Sequence, residues 1–115
     1  MLPKQNRISS KRYIKRLFKK GKRSRGQLIS IIFDPNHLAQ NRFVFVISKS
    51  NIKKATQRNR IKRKIANLIL RKKKFKVASG LGQDIIIIAN HALPQKQEEQ
   101  YLKEFEIMLA KIERK

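Results

Sequence analysis

The run Asp84 to Ala89 (Asp-Ile-Ile-Ile-Ile-Ala) constrains the fold more than any other stretch of this sequence. Its apolar residues are consecutive and do not alternate with polar ones, which is typical of a strand that is buried on both faces. The run is also far too short to span a bilayer. We therefore predict a fully buried central strand, so the rest of the chain has to supply its neighbours and the helices that cover it.

Two further segments predict strands upstream of this run. Gln27 to Phe33 is rich in β-branched residues, and Arg42 to Ser48 is similar in composition. The turn residues Asp34-Pro35-Asn36 separate them and begin a loop that lasts to about Asn41. We expect these two strands to pair as a hairpin, with a further short strand within Lys22 to Gly26.

Helical spacing marks three other segments. The first predicted helix covers Lys11 to Lys20, with Ser9 or Ser10 as its N-cap and Gly21 as its terminator. The last one begins near Pro94 and extends to about Glu113. The apolar residues of the first helix form a stripe, for which core packing is the simplest explanation: Tyr13, Ile14, Leu17 and Phe18.

The middle helix is predicted from about Thr56, a candidate cap, to Lys74 or slightly beyond. Its apolar residues recur at helical spacing and define one face. At about 100° per residue, polar and basic residues fall on the opposite arc, with Lys64 at its edge. The apolar face consists of Ile61, Ile65, Leu68 and Ile69, and the opposite arc of Asn59, Arg60, Arg63, Asn67 and Arg71.

The predicted order of elements is α-β-β-β-α-β-α. This order indicates an α+β fold, a two-layer sandwich in which helices pack on a small mixed sheet. The 115 residues suit one domain, residues 1–115, with one core. We expect residues 1–8 to form an extended, flexible N-terminal arm.

The charge of the chain points to a polyanionic partner. It has 30 basic and 7 acidic residues, a net charge of +23, and seven of the twelve residues from Lys53 to Lys64 are basic. All five glutamates lie in the last 18 residues. The guanidinium groups of the arginines and the Asn59 amide suit phosphate and 2′-hydroxyl contacts on RNA. For an isolated basic cluster, a solvated surface without a ligand is the simpler alternative.

The sequence offers little for catalysis by the protein itself. It has no cysteine, which excludes thiolate metal sites and cysteine nucleophiles and fits a reducing compartment. His37 and His91 have no carboxylate at a supporting spacing, and Asp34 and Asp84 alone do not make a two-metal site. These features favour a binding protein over a self-sufficient enzyme.

Arg58-Asn59-Arg60-Ile61-Lys62-Arg63, preceded by Ile47-Ser48-Lys49 and Lys54-Ala55, resembles the signature of the bacterial ribonuclease P protein subunit. The segment from Ile14 to Gly21 is similar to the first helix of that family. The resemblance covers roughly residues 6–112. The chain departs from the family at Ile14 and Ile32, where aromatic residues are frequent.

The resemblance implies that the chain assists a catalytic RNA, whose bound Mg²⁺ serves to cut the 5′ leader from precursor tRNA. It also implies a left-handed β-α-β crossover, against the usual rule. A cleft between the first helix and the sheet would hold the leader and would be lined by Ile14, Phe18 and Ile32. The residues expected to contact RNA are Lys49, Lys53, Lys54, Arg58, Asn59, Arg60, Lys62, Arg63 and Lys64.

On the hypothesis that the resemblance implies, the partners are the catalytic RNA and precursor tRNA, and a membrane is not among them. The protein would be cytoplasmic, monomeric within the complex and inactive alone, with no catalytic residue, metal site or cofactor of its own. One alternative is a small basic ribosomal or general RNA-binding protein without a processing role. Another is a basic nucleoid-type DNA binder, although we find neither dimer features nor a recognition helix.

Overall fold

The computed structural model describes residues 2–26, 29–46, 54–72, 77–89 and 98–113. A one-turn 3₁₀ helix at Lys4–Asn6 precedes the regular elements. The helices are α1 (Lys11–Lys20), α2 (Ala55–Arg71) and α3 (Glu98–Glu113), and the strands are β1 (Lys22–Arg25), β2 (Ile29–Pro35), β3 (Arg42–Val46) and β4 (Gln83–Ala89).

The four strands form one mixed sheet in the order β1-β2-β4-β3. β4 lies between β2, which runs antiparallel to it, and β3, which runs parallel to it. Ile85, Ile86 and Ile87 are at most 2% exposed, so the prediction of a buried central strand is confirmed. The mixed α+β class is confirmed as well, whereas the left-handed sense of the β3-α2-β4 crossover stays a prediction by resemblance.

The predicted hairpin between β2 and β3 is wrong. β2 forms its hairpin with β1, where Lys22 is opposite Phe33. Among the described residues, β3 pairs within the sheet with β4 and not with β2. The reason is the all-apolar composition of β4, whose two apolar faces are best removed from water in the interior of the sheet. β4 therefore inserts between the two strands that are neighbours in the sequence.

The two faces of the sheet carry different helices. On one face, here called the α2 face, α2 and α3 enclose the main core with the odd-numbered residues of β2, β3 and β4. Phe43, Ile65 and Phe105 are each at most 1% exposed there. On the other face, here called the α1 face, α1 packs on a smaller cluster built around Leu17, Ile32 and Ile86.

The bounds of α1 agree with the prediction, and Ser10 is its cap, since its hydroxyl accepts a hydrogen bond from Tyr13 N at 3.3 Å. Gly21 ends the helix in an extended conformation with φ −69°, so no left-handed glycine is needed. A Cβ on Gly21 would lie 2.5 Å from Ile32 Cγ2 and 2.7 Å from the Leu17 carbonyl oxygen. The glycine therefore permits the end of α1 to approach β2 closely.

The described part of the N-terminal segment, residues 2–8, packs against the sheet and does not extend away from it. Leu2 lies in the core of the α2 face and Ile8 in the cluster of the α1 face. Between them, Asn6 is buried and donates from Nδ2 to the Asn41 carbonyl at 2.8 Å. Residues 2–8 thus wrap around the β3 edge of the sheet, because burial of two apolar side chains on opposite faces outweighs solvation of the segment.

Smaller differences concern the ends of elements. β2 continues through Asp34 to Pro35, so the loop begins at Asn36, and His37 supplies the left-handed conformation there with φ 61°. α2 ends at Arg71, before the predicted Lys74. Residues 47–48, 73–76 and 90–97 lie outside the described part. Within the described ranges, no helix has the length and apolar character needed to cross a membrane.

Candidate RNA-binding surfaces

The first candidate surface is the outer side of α2. Its apolar residues pack into the core, and Asn59, Arg60 and Arg63 are exposed, as the spacing predicted. Lys54 is exposed just before the helix, whereas Arg58, Lys62 and Lys64 are half-buried at the borders of the exposed strip. We call this strip, residues 54–64, the α2 basic surface. Lys49 and Lys53 lie outside the described residues.

The start of α2 favours an anion. Its N-cap is Lys54, whose side chain makes no capping bond, and the first turn contains no acidic residue. Thr56 lies inside the helix and is exposed, so the prediction that it caps the helix is wrong. The helix dipole and the neighbouring cations both add positive potential at this end, which is unfavourable for the isolated protein and favourable for a bound phosphate.

The second candidate surface lies on the α1 face of the sheet. Ile14 and Phe18 of α1 are half-buried beside a row of half-buried apolar side chains, namely Val44, Val46 and Ile88. Ile32 belongs to the same cluster but is only 1% exposed, because the end of α1 and Gly21 cover it. The structure thus brings the three predicted cleft residues together, with Ile32 as buried support beneath Ile14 and Phe18.

Basic residues of β1 extend this cleft. Arg23 is opposite Ile32, and Arg25 is opposite Ser30, so both lie in rows that continue across the α1 face. Arg23 Nη2 also donates to the Phe18 carbonyl at 3.1 Å, which ties the edge strand to α1. Sequence reasoning missed both arginines as site residues, although the alternation in Lys22 to Arg25 could have shown which of them share a face.

A buried carboxylate holds the elements around the cleft together. Asp84 has 0% exposure and accepts hydrogen bonds from Arg42 Nε and Nη2, both at 2.8 Å, and from Asn36 Nδ2 at 2.9 Å. The Tyr13 hydroxyl of α1 also donates to Asp84. The Arg42 guanidinium lies 5.3 Å from the centre of the Tyr13 ring. This network joins α1, β3, β4 and the loop after β2.

The charge state of the network follows from these bonds. Burial by itself would raise the pKa of Asp84, but the hydrogen bonds from Arg42, Asn36 and Tyr13 outweigh it and hold that pKa below its ordinary value. Burial and the bond to Asp84 raise the pKa of Tyr13. Asp84 is therefore an ionised, fully engaged acceptor, so it serves structure and is not available as an acid or a metal ligand.

The remaining candidates for chemistry do not form a site. Within the described ranges, no group of three or more histidine, cysteine or acidic residues could hold a metal ion. His37 is exposed in the loop after β2, and His91 lies outside the described residues. What the described residues do bring together is exposed cations, which suit phosphates, and half-buried apolar side chains, which suit bases.

Comparison with known proteins identifies the family of this chain. The Ribonuclease P family model matches residues 2–113. The chain is 33% identical over 111 residues to the ribonuclease P protein component of Syntrophomonas wolfei, covering 96% of this chain and 90% of that protein. It is 34% identical over 100 residues to the ribonuclease P protein component of a Pseudanabaena species, covering 85% and 84% of the two chains.

Comparison of the fold with solved structures also finds RNase P proteins. The solved structure of the Staphylococcus aureus RNase P protein superposes with a TM-score of 0.71 at 25% identity, covering 93% of this chain and 96% of that one. Sequence and fold comparisons thus agree over nearly the whole chain. The chain belongs to the ribonuclease P protein family.

Proposed function

We propose that this chain is the protein subunit of a ribonuclease P ribonucleoprotein, which assists removal of the 5′ leader from precursor tRNA. The observation that carries the proposal is the placement of two different surfaces on opposite faces of one sheet. The α2 basic surface is charged and exposed, whereas the cleft on the α1 face is apolar with a basic edge. One protein can therefore hold two RNA segments at once.

The α2 basic surface would bind the catalytic RNA. Asn59, Arg60 and Arg63 are exposed on one side of the helix, and arginine presents paired donors that match phosphate oxygens. The N-terminus of α2, which carries the positive end of the helix dipole, adds to the attraction of these residues for the phosphate backbone of the RNA. Lys49 and Lys53 precede the helix, and we include them among the proposed RNA contacts because of their positions in the sequence motif.

The cleft on the α1 face would hold the leader. Phe18 offers a ring for a single-stranded base, and stacking on an aromatic side chain is tolerant of sequence. Ile14, Val44 and Ile88 add apolar contact without rings. Arg23 and Arg25 lie at the edge of the same face, where the phosphates of an extended strand would pass.

Magnesium ions that serve the cleavage would be bound mainly by the RNA subunit. The carboxylates of the described residues do not fit such an ion, because the three donors described above occupy Asp84 and no cluster of acidic ligands surrounds it. What this chain supplies is positive charge beside packed phosphates, which lowers their mutual repulsion. The protein alone would then cleave no RNA.

A reconstituted cleavage assay tests this proposal. Purified chain, catalytic RNA and precursor tRNA are combined at low magnesium, and each component is omitted in turn. We expect mature 5′ ends only when protein and catalytic RNA are both present, and cleavage by the RNA alone at high magnesium. Cleavage by the protein after removal of all RNA and contaminating nuclease would contradict the accessory role, and unchanged cleavage on adding protein would contradict the subunit assignment.

A further inference from the structure

A pocket of about 230 Å³ opens at the β3 edge of the sheet. Its walls come from the N-terminal segment, from β3 and from the middle of α2. Most of its lining is apolar, and two cations belong to it, Arg7 and Lys62. The other lining residues are Leu2, Ile8, Phe43, Val44, Phe45 and Ala66.

The wrapped N-terminal segment builds the outer wall of this pocket. Ile8 N donates to the Phe43 carbonyl at 3.0 Å, and Arg7 forms a parallel bridge with Phe43. Residues opposite each other in such a bridge share a face, so Arg7 lies on the α2 face together with Phe43. Leu2, Phe43, Phe45 and Ala66 also belong to the α2 face, whereas Ile8 and Val44 join the pocket from the α1-face cluster across the β3 edge. The pocket thus opens mainly on the side of the sheet opposite Ile14 and Phe18, which do not line it.

The second cation connects the pocket to the α2 basic surface. Lys62 and Ala66 are four residues apart and therefore lie on one side of α2. Lys62 is half-buried and lines the pocket, and lysines in such positions commonly keep the aliphatic stem on apolar surface and the ammonium group in solvent. Asn59 and Arg63 are exposed on the neighbouring strip. An RNA backbone on that strip would pass close to the rim of the pocket.

The lining of the pocket suits a ligand that combines a flat ring with an anionic group. An apolar volume with half-buried Phe45 at its wall suits a flat ring, and two cations suit an anion attached to that ring. The volume lies below the range of about 300–1,000 Å³ typical of drug-sized ligands, so a single ring system fits better than a larger molecule. A nucleotide combines a flat base with a phosphate.

We propose that this pocket binds one unstacked nucleobase of an RNA segment, with the adjoining phosphate held between Arg7 and Lys62. The inference rests on the proposed RNA-binding function and adds to it a site that reads a base on the α2 face. Flipped or single-stranded nucleotides are the form in which proteins read bases of RNA. A helical, fully paired RNA would leave the pocket empty.

Methyl-detected NMR on the full chain tests the pocket directly. Adenosine and uridine 5′-monophosphate are titrated in separate samples, with inorganic phosphate and adenosine as further arms. We expect ring-current shifts at the methyl groups of Ala66 and Leu2 with both nucleotides, and smaller effects with phosphate or nucleoside alone. Ile14 and Val46 report the opposite face of the sheet.

Matched variants distinguish an effect of the cation at the pocket from an effect of the protein's overall positive charge. Lys62→Ala should weaken the nucleotide response at Ala66 by about tenfold, the loss expected for one charge-assisted contact. Lys62→Met keeps the apolar stem and should weaken it similarly, which guards against a folding defect in the first variant. Lys103→Ala removes the same charge from the exposed side of α3 and should leave the response unchanged.

Three results would overturn the inference. Nucleotide shifts confined to Ile14 and Val46 would place the base in the cleft on the α1 face. Equal responses to phosphate and nucleotides would reduce the pocket to an anion site, and equal losses in the Lys62 and Lys103 variants would make the effect one of general charge. Filter binding of catalytic RNA by the wild-type protein serves as the control. If the RNA still binds, only the pocket assignment has failed; if it does not bind, the proposed RNA-binding function has failed.

Discussion

At the scale of single residues, Asp84 has the largest structural role among the described acidic groups. Its partners come from three other parts of the chain, so the local sequence around Asp84 contains no sign of them. Sequence reasoning identified Asp84 only as an isolated carboxylate at the start of a strand. The network could not be predicted, because it depends on β4 lying between β2 and β3.

Removal of the Asp84 charge should destabilise the protein. Asp84→Asn leaves the partly buried Arg42 without its counter-ion, and breaking such a pair costs about 3–5 kcal/mol in the free energy of unfolding. Chemical denaturation at neutral pH measures this loss. Asp34→Asn is the matched control, since Asp34 lies on the neighbouring strand and is only half-buried; a similar loss in both variants would contradict a special role of the network.

The same residue makes stability depend on acid. Because the folded-state pKa of Asp84 lies below its ordinary value of 3.8, the ionised group stabilises the fold above that pH. This contribution is lost as the pH falls from about 3.8 through the lower folded-state value. The difference in unfolding free energy between wild type and Asp84→Asn should therefore shrink on acidification, and a constant difference from pH 7 to pH 2 would refute this assignment.

Arg63 tests the α2 basic surface at the residue scale. Arg63→Ala removes one exposed cation, so binding to the catalytic RNA should weaken, and the slope of log affinity against log salt should fall by slightly less than about 1. Filter binding over a salt series measures both quantities. Thermal unfolding of the variant should match wild type, and an unchanged slope would show that Arg63 contacts no phosphate.

At the scale of elements, α2 was the most predictable. The spacing of Ile61, Ile65 and Leu68 identified the buried side, and all three are at most 6% exposed. The pairing of strands was less predictable, because period-two patterns show which side of a strand is buried but not which strand is its neighbour. The hairpin expected between β2 and β3 failed for this reason.

A pair of substitutions on α2 tests its orientation. Ile65→Ala removes a side chain that is 1% exposed and should cost about 2–5 kcal/mol of unfolding free energy. Asn67→Ala lies two residues away on the exposed side and should change stability by no more than about 0.5 kcal/mol. Urea denaturation with equal midpoints for the two variants would mean that the helix is rotated from the orientation described.

The proposed leader cleft is tested through α1. Phe18 is half-buried at the edge of the α1-face cluster, so Phe18→Ala should weaken binding of precursor tRNA to the reconstituted complex while mature tRNA binds almost as before. The expected loss is about 1–3 kcal/mol if one base stacks on the ring. Equal weakening for both tRNAs, or unfolding of the variant, would leave core packing as the only role of Phe18.

At the scale of the whole molecule, the α+β class and the order of elements could be predicted, but the path of residues 2–8 could not. Leu2 and Ile8 are separated by the polar run Lys4-Gln5-Asn6-Arg7, which gives no sign that either side chain is buried. Their burial depends on the β3 edge being open to the N-terminal segment. A strand order that placed β3 inside the sheet would have excluded this packing.

The N-terminal segment should contribute to global stability. Deletion of residues 1–8 removes Leu2 and Ile8, which are 4% and 7% exposed, from two separate clusters. Because each such side chain stabilises by about 1.5–3 kcal/mol when fully buried, we expect a clear drop in the denaturation midpoint. A control that replaces exposed Lys4 and Gln5 by alanine should keep the midpoint, and a truncated chain as stable as wild type would contradict the packing.

The central place of β4 also affects how the protein is synthesised. The ribosome releases β1, β2, β3 and α2 before β4, yet β2 and β3 are joined only through β4. Until residue 89 leaves the exit tunnel, the nascent chain has no complete sheet on which α2 can pack, and such incomplete chains expose apolar surface. During that interval it is an incompletely folded polycation beside ribosomal RNA, and the glutamates that offset part of its charge are translated last.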